Sequence, residues 1–154
     1  MPVAGPRDQC ARILASARRC SSASPAPGGE NLTPFAAEHY AFMSPGFETM
    51  VTPALLVRGD HDQSMLSTRG PDWWADGYHL SPGPKSLLTL FGAEHSLGGI
   101  TSYGVAETTD ENLERVAVLQ RLTTAYLETA LGVDADAWNA AHTGVREFGT
   151  LESK

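Results

Sequence analysis

Cysteine is nearly missing from this chain: Cys10 and Cys20 are the only two, and none follows residue 20. From there on the sequence offers neither a disulfide framework nor a thiol nucleophile. Long apolar runs are missing too. No stretch approaches the roughly 18 uninterrupted apolar residues that a spanning helix needs, which argues against a membrane segment. Basic residues are scarce, since 11 Lys and Arg stand against 18 Asp and Glu for a net charge of −7. An acidic surface repels phosphates, so nucleic acid is not an expected partner. No secretory signal peptide is visible, and a cytoplasmic location is the expectation for the chain as given.

The charge that is present is unevenly spread. Residues 1–30 carry Arg7, Arg12, Arg18 and Arg19 against Asp8 and Glu30, which leaves +2 there and −9 in the remainder. The stretch Ala23-Ser24-Pro25-Ala26-Pro27-Gly28-Gly29 is too densely punctuated by Pro and Gly for helix or strand to persist. The chain therefore reads as a basic segment 1–30, disordered or non-native, then a body 31–142, then a tail 143–154. The Arg-, Ala-, Ser- and Pro-rich composition of the first segment loosely fits a transit peptide, and it is also what GC-rich DNA yields when read out of frame. A Cys10–Cys20 bridge would need a fold to hold it, and none is evident there.

In the body, 42% hydrophobic residues across the chain suit one globular domain. Pro34 through Met43 reads as a short helix with Thr33 as its cap and Pro34 at the first helical position, stopped by Ser44-Pro45-Gly46. Pro53 and Gly59 bracket Ala54-Leu55-Leu56-Val57, a run of strand length. A turn-rich connection from Gln63 to Pro84 follows, with a helix expected around Pro71 to Asp76, and then a second strand over Ser86 to Phe91. Thr108-Thr109-Asp110-Glu111 fits a capping box opening a long helix to Leu131. Leu113, Val116, Leu119, Leu122, Tyr126 and Ala130 would be its buried face, and Gly132 its stop. Two apolar strands, a mixed connection and an amphipathic helix match an α/β layer with a parallel sheet.

The chemistry sits at the strand ends. The first strand runs into Gly59-Asp60-His61-Asp62 and the second into Gly92-Ala93-Glu94-His95. An acid after one strand and a histidine after a later one are two parts of a Ser, acid, His triad, in which the nucleophile should lie upstream on a Gly-x-Ser-x-Gly turn. No such turn precedes Asp62. Together with Ser96-Leu97-Gly98-Gly99-Ile100 and Glu107-Thr108-Thr109-Asp110-Glu111, these segments resemble the last third of the α/β-hydrolase superfamily, over roughly residues 30 to 140. The nearest look is to bacterial dienelactone-hydrolase-like and chlorophyllase-like members. The resemblance implies an incomplete α/β-hydrolase fold: C-terminal parallel strands with flanking helices, nucleophile half absent. It makes Asp62 the triad acid and His95 the base, a small ester the substrate of the intact family, and calls for no cofactor and no metal. A separation of 33 positions from acid to base leaves room for the crossover that neighbouring parallel strands require.

Each assignment has a rival. Asp60 also ends the first strand and competes with Asp62 for the role of acid. His39, His61, His79 and His142 read as surface residues. A metal set of His61, Asp62, His79 and His95 is right in ligand type, but its spacings match no metal motif. Glu94-His95-Ser96-Leu97-Gly98 resembles a nucleophile elbow lacking its first glycine, which would make Ser96 an atypical nucleophile. Trp73, Trp74 and Tyr78 either wall an apolar pocket or pack the connection onto the sheet. The expected function is therefore a serine ester hydrolase portion that is inactive alone. The non-catalytic alternative is an interaction module that self-associates or docks through a sheet edge left open.

Overall fold

Ala54–Gly59 (β1) and Lys85–Leu90 (β2) are strands with almost every residue buried, the pattern expected of a sheet covered on both faces. The structure is a computed structural model that describes residues 31–40, 46–100 and 109–154. β1 and β2 pair in parallel, with Ala54 opposite Lys85 and Gly59 opposite Leu90. The second strand starts and ends one residue earlier than its apolar run suggests, because Lys85 joins the ladder.

The crossover between them contains a 3-10 turn, Pro71–Ala75, that runs directly into a short helix, Asp76–Leu80 (α2). It is tied down by Arg69, whose guanidinium grips both oxygens of Asp76 at 2.6 and 3.0 Å. Arg58 of β1 reaches Asp72 at 2.7 Å. Before β1, Pro34–His39 (α1) is capped by Thr33, whose hydroxyl accepts from Ala36 N–H. The expected extension of that helix to Met43 lies outside the described residues, as do all readings made on residues 1–30.

Leu113–Leu131 (α3) is the long helix, and its start corrects the expected cap. Asn112 is the N-cap, its side chain accepting the Arg115 N–H at 2.9 Å, so the helix opens later than a box at Thr108 to Glu111 would allow. Thr108 lies outside the described residues, and Asp110 points away to another task. The buried stripe rotates accordingly to Val118, Leu119, Leu122 and Ala125, leaving Leu113 87% exposed. Gly132 ends the helix at φ 71°.

Val118, Leu119, Leu122 and Ala125 meet Leu55, Val57, Leu88 and Leu90 on one sheet face. The opposite residues of the strands, Ala54, Leu56 and Leu87, pack against Ala75 and Tyr78. Alternation along each strand thus sends side chains into two separate cores.

The tail reading of 143–154 is corrected by Gly149–Ser153 (β3), which follows a short helix Ala137–Ala141 (α4) and pairs antiparallel with β2. Its residues are mostly exposed, with Leu151 alone packing against the core, so the strand is held largely by main-chain pairing. The result is an α/β arrangement around a mixed three-stranded sheet in the order β1-β2-β3. β1 lies at one end of that order, and no strand among the described residues pairs with its outer side. No helix of the described residues is long and apolar enough to cross a membrane.

Candidate active site

Because β1 and β2 are parallel neighbours in register, the loops that leave them emerge side by side at the same end of the sheet. Main-chain bonds then lock the two loops together. Asp60 N–H donates to Leu90 O at 3.1 Å and His61 N–H to Ala93 O at 3.0 Å. The approach is so close that a Cβ on Gly59 would stand 2.0 Å from the Ala93 carbonyl oxygen, which only glycine permits.

Asp62 and His95 meet across this junction. His95 Nδ1 lies 3.1 Å from Asp62 Oδ2 and 3.3 Å from Oδ1. The carboxylate is 2% exposed, whereas the imidazole is 70% exposed. The competing acid has a different partner: Asp60 Oδ1 accepts the Gly92 N–H at 2.7 Å, closing the turn after β2. It is Asp62 that faces the imidazole.

An ionised carboxylate only accepts hydrogen bonds, so the bond to Asp62 assigns the proton to Nδ1 and leaves the Nε2 lone pair outward. The same bond holds the His95 pKa above its ordinary 6.5, with partial burial pulling the other way and the Asp62 charge adding to the rise. A nitrogen base with a fixed tautomer, aimed at open space and backed by a buried acid, can take a proton from a hydroxyl and return it to a leaving group.

Trp74 is the neighbour whose role the sequence leaves ambiguous. Its indole N–H donates to the main-chain oxygen of Asp62 at 3.0 Å, and its ring stands 5.2 Å from the His95 ring at 39°. One side chain therefore supports both members of the pair. Trp73 packs behind it, with Leu32, Ala36 and Trp74 itself, and Tyr78 lies in another cluster with Leu56 and Leu87. The adjacency of two tryptophans after a strand is visible in the sequence, but nothing local says which ring turns toward the site.

The remaining candidates lie elsewhere. His39, His61, His79 and His142 are exposed, and His61 comes no closer to an acid than 4.0 Å from Asp60. No group of three or more His, Cys, Asp or Glu side chains among the described residues is placed to hold a metal ion. Ser96 is in a loop of turns, where the non-glycine residue with positive φ is Leu97 at 53° and not the serine. An elbow needs its strain at the nucleophile and a helix directly behind it; the described residues directly behind Ser96, 97–100, form turns and no helix. Leu97, two residues after His95, also lines a groove of about 310 Å³, together with Val57 of β1, Ile100, and Leu119 and Thr123 of α3. Compared with protein-family models, with curated proteins and with solved structures, the chain gave no match.

Proposed function

We propose that this chain carries the acid–base part of a carboxylic-ester hydrolase of the serine type, an α/β-hydrolase portion with Asp62 and His95 in place and no nucleophile of its own. The observation that carries this reading is the 3.1 Å bond from a buried carboxylate to an exposed imidazole at the ends of adjacent parallel strands. In the complete reaction His95 Nε2 would take the proton of a serine hydroxyl as it attacks the ester carbonyl, then deliver it to the departing alkoxide. Asp62 would balance the imidazolium that forms in between. The groove beside Val57 and Leu119 is apolar enough for an acyl chain.

A hydroxyl nucleophile must come from another polypeptide segment, and the chain alone should not form an acyl-enzyme. The test is exposure of the purified chain to a fluorophosphonate probe and to an aryl acetate. No serine should be labelled, and Ser96→Ala should leave any slow background hydrolysis unchanged. A fluorophosphonate adduct on Ser96 together with loss of turnover in Ser96→Ala would overturn the reading and restore the elbow.

A second reading is favoured by the outer side of β1. Its residues are buried on both faces as in an interior strand, yet among the described residues it stands at the end of the sheet. Such an edge invites strand addition. Concentration-dependent sedimentation without any effect of Asp62 or His95 substitutions on the species formed is the signature of a pure interaction module.

A further inference from the structure

His95 lies between β2 and α3, among the described residues 91–100, which form turns and neither strand nor helix. That loop is strained. Leu97, Gly98 and Gly99 stand in succession at φ 53°, 96° and 112°, and of the three only Leu97 carries a Cβ that the left-handed backbone crowds. Strain of this kind persists where the surroundings over-determine it. Two internal turns help, Leu97 N–H to Glu94 O and Gly99 N–H to Ser96 O.

The stronger restraint comes from outside. Asp110 Oδ2 accepts the Glu94 N–H at 2.8 Å and the Gly98 N–H at 2.9 Å. These two residues bracket His95. Asn112, the cap of α3, returns a bond from its own N–H to Gly98 O at 2.9 Å. Arg115, in the first turn of α3, donates to the Asp110 main-chain oxygen at 2.8 Å and stands 3.7 Å from its carboxylate. The Asp110 carboxylate is 2% exposed. Its other oxygen, Oδ1, is buried with no hydrogen-bond partner among the described residues, so Oδ2 alone carries the clamp. Burying such a group costs free energy that an apolar residue of similar size would not incur. What a carboxylate supplies in exchange is a pair of short, charge-assisted bonds to main chain.

The geometry points to Asp110 as a positioning residue: by clamping Glu94 and Gly98 to the start of α3, it fixes the loop that sets His95 against Asp62. The role rests on the dyad reading above, but its test reads the imidazole and no reaction. Asp62 is the charged group that contacts His95; the other titratable or charged groups on the segments packed around it are Asp60 and His61 on the β1 loop, Glu94 on its own loop, and Asp110 with Arg115 at the start of α3. Removing Asp110 therefore deletes both a charge and an acceptor, and two variants separate them. Asp110→Asn removes the charge and keeps an acceptor oxygen; Asp110→Ala removes both.

The His95 titration is followed by NMR in both, with Leu122→Ala as a control that weakens the core between α3 and the sheet and removes none of the clamp's hydrogen bonds. We expect the Asn variant to titrate close to the wild-type value and the Ala variant to fall to the value found in Asp62→Asn. Leu122→Ala should lower the melting temperature and leave the titration where it was. Equal shifts in the Asn and Ala variants mean a through-space charge effect and overturn the clamp, as does an unmoved titration in Asp110→Ala. Should Asp110→Ala not fold, Asp110→Ser, whose hydroxyl is too short to reach both N–H groups, takes its place with the same expected and contrary outcomes. If Asp62→Asn itself leaves the titration unmoved, it is the dyad reading that fails, and the clamp as a positioning device with it.

Discussion

A histidine becomes a directed base when one of its nitrogens is committed, and in this chain Asp62 commits Nδ1. The pair is legible in the sequence because each member follows an apolar run by a glycine-bearing turn, a local pattern that survives without any knowledge of partners. The choice between Asp60 and Asp62 is not legible. Both carboxylates sit at the same strand end, and which one meets the imidazole depends on the Gly92 N–H that occupies Asp60. The roles of Trp74 and Asp110 are hidden for the same reason, since their partners are main-chain groups that every sequence has. The raised His95 pKa also bears on stability. A group whose folded pKa lies above its unfolded value contributes stability that is complete below the unfolded pKa and is lost as pH rises through the folded one. The wild-type chain should therefore exceed His95→Gln in denaturant midpoint by more at about pH 5.5 than at about pH 8.5. An equal difference at both would show that the bond to Asp62 is not linked to protonation.

At the level of elements, periodicity locates the two parallel strands and the long helix, and composition locates the turns between them. It misjudges the helix start, because an acid ahead of a helix looks the same whether it caps that helix or, as Asp110 does, reaches across to a loop. It misses β3 altogether, since an edge strand recruited by main-chain pairing needs no apolar alternation. Glycine substitutions test how the turns are held. Gly59→Ala would drive a Cβ to within 2.0 Å of a carbonyl oxygen that cannot retreat without breaking its bond from His61. Gly132, at φ 71°, has nothing within 4 Å of the position a methyl would take, so only the backbone conformation resists. Gly132→Ala should cost about 1 kcal/mol. Gly59→Ala should cost more, about 3 kcal/mol or above, and should also lower the His95 titration by shifting the two loops apart. Chemical denaturation of both variants gives the comparison, and a Gly59→Ala midpoint as good as that of Gly132→Ala contradicts the close approach of the two loops.

For the molecule as a whole, the sheet has a covered face on each side, a β3 edge that is polar, and a β1 edge that is open among the described residues. The acid–base pair stands at the C-terminal end of β1 and β2, where a parallel sheet presents its loops. The loop that carries His95 also supplies Leu97 and Ile100 to the groove between β1 and α3. In the proposed function, an attacking hydroxyl brought to this end of the sheet would meet an imidazole already oriented and already backed by a buried carboxylate. Such a role requires the Asp62–His95 bond to be present and strong in solution. NMR titration of the His95 ring in the wild-type chain and in Asp62→Asn reads that bond directly. The wild-type pKa should lie above 6.5 and drop to or below that value once the carboxylate is replaced. A wild-type pKa at or below 6.5, or one that does not respond to Asp62→Asn, would mean that no such acid–base pair exists.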